Sequence, residues 1–140
     1  MRFVAYLLVL LSTAAHAETS LPRTKAPAGC EVYFISPADG ETVSGEFVVR
    51  FGLKGMGVAP AGIKVDKTGH HHLLVDAGSL AAFDVPIPAD AKHLHFGAGQ
   101  TETTLKLAPG KHTLQLVLGD YLHVPLDPPV VSPVITVMVD

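Results

Sequence analysis

Thr101-Glu102-Thr103-Thr104-Leu105-Lys106-Leu107, then Ala108-Pro109-Gly110, then Lys111-His112-Thr113-Leu114-Gln115-Leu116-Val117-Leu118 is the stretch that decides the fold class. Each arm carries aliphatic residues at alternate positions, and Pro-Gly breaks the run between them. Alternation with a period of two marks half-buried strands, so the stretch reads as a β-hairpin. In its second arm His112, Leu114, Leu116 and Leu118 share one face.

Outward from this pair the same grammar repeats. Val32-Tyr33-Phe34-Ile35 is a strand stopped by Ser36-Pro37-Ala38-Asp39-Gly40, a proline-led turn. Glu46 to Leu53 alternates, with Phe47, Val49, Phe51 and Leu53 on one side. Lys54 to Thr68 and Ala77 to Lys92 read as long connections, and Gly119 to Pro129 as a loop too proline-rich for a central strand. Val134 to Val139 is the last strand. No long stretch shows a helical period. About seven short strands joined by Gly/Pro turns predict an all-β fold, a single immunoglobulin-like antiparallel β-sandwich, with a small barrel as the alternative.

The chain has 140 residues and a formal net charge of −3. Met1-Arg2, the apolar run Phe3 to Leu11 and Ala15-His16-Ala17 together predict a signal peptide over residues 1–17, cleaved after Ala17. Cleavage after Ala15 is the other option and would leave His16, a copper-chelating N-terminus. Residues 18–29, rich in Pro, Ala, Thr and Ser, are expected to form a flexible leader, and 30–140 the β-sandwich domain. The expected location is periplasmic or secreted. No basic run with interleaved aromatics suggests nucleic acid, and no segment after the signal approaches the ~20 apolar residues of a membrane span. Cys30, the only cysteine, cannot form an intramolecular disulfide and reads best as a small buried residue.

Chemistry concentrates at Gly69-His70-His71-His72-Leu73-Leu74-Val75-Asp76. On a strand, residues two apart share a face with Cα atoms roughly 6.6 Å apart, close enough for two imidazoles to hold one metal ion at bonds of ~2.0 Å. His70 with His72 and His93 with His95 are two such His-x-His pairs. An up-and-down path brings both pairs to one rim with Asp120, His123 and Met56. The expected metal set is therefore His70, His72, His93, His95, His123, Asp120 and Met56. Asp120 would serve as an outer partner fixing an imidazole, and Met56 as a soft ligand for copper(I). His71, of opposite parity, and His112, at the far end, are expected to be structural.

Gly69-His-His-His-Leu-Leu74, Gly55-Met-Gly-Val-Ala-Pro-Ala-Gly62, His93-Leu-His-Phe-Gly-Ala-Gly-Gln-Thr101 and Pro109-Gly-Lys-His-Thr-Leu-Gln-Leu116 resemble the bacterial domain of unknown function 4399 family. The resemblance covers residues 32–139 and implies an exported, single β-sandwich domain. Gly119-Asp120-Tyr121-Leu122-His123-Val124-Pro125-Leu126 departs from the family pattern, which has a further histidine where Leu126 stands. That change puts one ligand in doubt, or leaves an open coordination position.

Three functions follow. The first is an exported histidine-rich metal-binding protein, for copper and secondarily zinc, exchanging metal with a periplasmic donor or acceptor protein. The second is a non-catalytic immunoglobulin-like accessory module for cell-envelope protein or glycan, with Tyr121 as its one suitable loop aromatic. The third is a metallo-enzyme with Glu102 as general base.

Overall fold

The computed structural model describes residues 21–140; the signal peptide expected over 1–17 lies outside the described residues. The chain is all-β, with nine strands: β1 Glu31–Ser36, β2 Glu41–Val43, β3 Glu46–Lys54, β4 Gly57–Val58, β5 Thr68–Val75, β6 His93–His95, β7 Glu102–Lys106, β8 Gly110–Gly119 and β9 Ile135–Val139. The count exceeds the expected seven because β2, β4 and β6 are only two or three residues long. Among the described residues no helix is long and apolar enough to cross a membrane.

Two sheets face each other. One has three strands in the order β1-β3-β7; the other has the order β2-β9-β8-β5-β4, with β6 also pairing β5. Val32, Val49, Phe51 and Leu105 from the small sheet meet Leu73, Val75, Leu114, Leu116, Leu118 and Val137 from the large one. Cys30, half-buried, packs at the edge of this core. Alternation on β3 holds as read: Val49 and Phe51 are buried, Glu46, Val48 and Arg50 exposed.

The expected hairpin is not one. β7 pairs antiparallel with β3, from Glu46↔Lys106 to Arg50↔Glu102, while β8 pairs with β5 and β9. Ala108-Pro109 is a corner that carries the chain from one sheet to the other. Period-two alternation specifies which face of a strand is buried but is silent on which sheet owns the strand. Here Leu105 and Leu114 meet across the core from opposite sheets rather than side by side within one.

β5 is buried from Gly69 to Val75 on both faces. Its odd-numbered residues His71, Leu73 and Val75 face the inter-sheet core, where the His71 ring lies 5.1 Å from that of Phe51. Its even-numbered residues face outward under two long loops. Leu74 there joins Val117, Ile87, Ala77 and Leu80 in a second, smaller apolar cluster. The 77–92 connection has become the lid of this outer face, and Ile87 N donates to His123 O across it.

Residues 21–27, expected to be flexible, are bonded to the body. Ala26 N donates to Asp127 O, Asp127 N to Thr24 O, and the Arg23 guanidinium donates to the Pro125 and Leu126 carbonyls. The segment straps the 120–127 loop down.

Candidate metal centre

Four imidazoles from three separate segments meet on the covered outer face of the large sheet. His70 and His72 come from β5, His95 from β6 and His123 from the loop after β8. Their six ring-to-ring centroid distances run from 4.8 to 6.2 Å. Register explains the first three: His72 pairs with His95 across β5–β6, and His70 with Gly119 across β5–β8. The fourth depends on the turn after Gly119. Asp120 Oδ1 accepts from Leu122 N and Val124 N, and its Oδ2 accepts from Thr24 Oγ1. His123 itself sits at φ 67°, a left-handed backbone that this turn enforces.

Two glycines make room. A Cβ at Gly119 would lie 2.9 Å from His72 Nε2, and one at Gly97 would overlap the His95 ring, which lies over that backbone. Neither glycine carries chemistry, and each is needed because a ring rests on its backbone.

His70 and His72 are fully buried, whereas His95 is exposed, so the group has a dry floor and a wet side. The Nε2 atoms of His70 and His72 are 3.0 Å apart. Both Nδ1 atoms are buried without a hydrogen-bond partner. Burial, reinforced by the neighbouring imidazoles, lowers the His70 pKa to about 4 and the His72 pKa to about 2. Burial first, then the His123 ring, also lowers that of His95. At neutral pH these three rings are therefore uncharged, the form that ligates metal. Nitrogens of His70, His72 and His95 all fall within 4.8 Å of one another.

Other expected site residues are elsewhere. His93 leaves the group: its Nδ1 donates to Asp90 Oδ1 at 2.8 Å, and it pairs in register with Leu74 rather than with a histidine. Met56 packs against the inter-sheet core. Asp120 hydrogen-bonds no imidazole; its carboxylate instead holds the backbone of the turn that presents His123. Glu102 forms an ion pair with Arg50 on the small sheet, away from the group. Leu126, where the resemblance implies a further histidine, is buried in the inter-sheet core and opens no coordination position beside the four rings. His112 is remote, as expected, with Nδ1 and Nε2 at 2.7 and 2.9 Å from Asp76 Oδ2 and Ala108 O. Sequence reasoning missed Gly97, Gly119 and Thr24, whose roles are visible only once the rings they seat or brace are placed.

A family model described as Domain of unknown function (DUF4399) matches residues 49–140. The chain belongs to this family, and all four clustered histidines lie within the matched region. No curated protein and no solved structure matches the chain.

Proposed function

We propose that this is an exported metal-binding protein whose centre is His70, His72, His95 and His123, taking copper first and zinc second. The observation that carries the reading is the convergence of four imidazoles, three of them in their neutral form, within one group. Two nitrogens bound to one ion at ~2.0–2.1 Å lie about 2.9 Å apart at a right angle and about 3.4 Å apart in a tetrahedron. The 3.0 Å between the buried Nε2 atoms falls inside that range. His95, on the exposed side, can rotate to close the remaining distance.

An all-imidazole set suits copper and zinc, with copper(II) the tighter by the general order of divalent affinities. No carboxylate hydrogen-bonds any of the four rings among the described residues, so once the imidazoles ligate an ion none of them is left free to act as a general base. That favours holding or passing on an ion over hydrolysis, and a periplasmic donor or acceptor protein would meet the group at its exposed His95 side.

Metal titration of the purified, chelator-treated protein tests the reading. The expected result is about one copper per chain, abolished by His95→Ala with His123→Ala and unaffected by His93→Ala. Full binding by the His95/His123 double variant would overturn it.

A further inference from the structure

His70, but none of the other three clustered imidazoles, lines a cavity of about 310 Å³, within the size range of small-molecule sites. His70 and Asp120 form part of its wall, and the 59–68 segment forms most of the rest. This wall is built, not loose. Ala61 N donates to Gly97 O and Gly62 N to Tyr121 O, each at 2.9 Å, and Thr68 Oγ1 donates to Val65 O. The segment is thereby pinned both to the turn that follows His95 and to the loop that carries His123.

Two features of the lining point to one chemistry. Ile63 and Val65 are 51% and 53% exposed, aliphatic surface that a bound apolar body would cover. Beside them stand Lys64 and Lys67, neither of which forms an ion pair among the described residues, while the third lining lysine, Lys25, is held by Asp127. The Lys64 ammonium lies 5.3 Å above the Tyr121 ring, a cation–π contact that fixes its charge at the cavity wall. Of the two lining carboxylates, Asp120 already accepts three hydrogen bonds, and Asp66, between the lysines in sequence, forms no ion pair with either among the described residues.

We propose that this cavity binds a small organic carboxylate, with its apolar body against Ile63 and Val65 and its charge on Lys64 and Lys67. The site goes beyond the metal reading and does not require it. The test is therefore made on chelator-treated protein, where failure of one leaves the other standing.

Benzoate is the probe and amide chemical shifts are the readout. Saturable shifts are expected at residues 59–69 and 120–121. The dissociation constant should rise at least tenfold for benzamide, the neutral analogue, and at least tenfold for the Lys64→Gln/Lys67→Gln variant. Both lysines are at the surface, so an unchanged spectrum elsewhere reports that the variant folds. Absence of saturable shifts, equal binding of benzamide, or equal binding by the lysine variant would each overturn the proposal.

Discussion

His71 stands back to back with His70 and His72, but its ring lies in the inter-sheet core against Phe51, and neither nitrogen has a hydrogen-bond partner. Burial lowers its pKa to about 4, opposed only weakly by the Gln100 backbone, which falls short of a hydrogen bond. A buried polar group left unsatisfied costs about 1–3 kcal/mol, whereas an apolar replacement of similar shape removes that cost. His71→Leu is therefore expected to raise unfolding stability at pH 7 by about 1–3 kcal/mol, read as the urea midpoint, while leaving metal stoichiometry intact. A loss of stability would show that the ring has a polar partner after all. His112 is the opposite case. Both its nitrogens face acceptors, Asp76 Oδ2 and Ala108 O, and only an imidazolium can donate to both. The Asp76 hydrogen bond accordingly raises its pKa. The group's stabilisation is full below the unfolded value of 6.5 and fades as pH rises through the folded one. At this partly exposed pair it is worth roughly 0.2–1 kcal/mol, so His112→Gln should narrow the stability difference from wild type between pH 5.5 and pH 8. An identical deficit at both values would remove the imidazolium from the account.

Among the elements, β5 was legible and the corner between β7 and β8 was not. Gly69–Val75 reads as a buried strand from its aliphatic content, and strand parity alone separates His70 and His72 from His71. Parity also selects His95, because His72↔His95 is a cross-strand pair, but the same argument selects His93, which the structure gives to Asp90. The alternation of Thr101–Leu118 identifies inward residues without saying that its halves belong to different sheets. The long loops carry no period, so the lid formed by 77–92 and the strap formed by 21–27 leave no trace in the pattern. Each element that seats a ring nevertheless has a local test. Gly97 lies under the His95 ring, the movable end of an exposed side chain. Gly97→Ala should therefore displace that ring without unfolding β6, lowering copper affinity at least tenfold with little change in melting temperature. Thr24→Val removes the strap's hydroxyl from Asp120 Oδ2. It should cost about 1 kcal/mol, the usual worth of a hydrogen bond, and speed amide exchange at Leu122 to Val124. Unchanged exchange there would detach the strap from the His123 turn.

For the molecule as a whole, the three buried histidines of β5 set a cost that the fold must carry. Unfolded, each histidine takes up a proton near pH 6.5; folded, His70, His71 and His72 stay neutral down to about 4, 4 and 2. A base whose folded pKa is lowered gives full stability above its unfolded value and loses it as pH falls toward the folded one. Each pKa unit is worth about 1.36 kcal/mol, so moving from pH 7 to pH 5.5 withdraws roughly 1.2 kcal/mol per ring, about 3–4 kcal/mol for three. Against the ~5–15 kcal/mol of an ordinary domain, that is a large fraction. His112 works in the other direction but through one partly exposed pair, so it cannot offset three buried rings. The chelator-treated protein should therefore melt on the order of 10–20 °C lower at pH 5.5 than at pH 7, a drop that His71→Leu should shrink by about a third. A bound ion at pH 7 would add RT ln(1 + [L]/Kd), about 2.7 kcal/mol at a hundredfold excess over Kd, and that gain should fade with acid as protons compete for the same nitrogens. Calorimetry at both pH values, with and without copper, separates the two effects. A melting temperature that stays level from pH 7 to pH 5.5 without metal would mean that the three rings are not held neutral by the fold, and the cost assigned to them would have to be withdrawn.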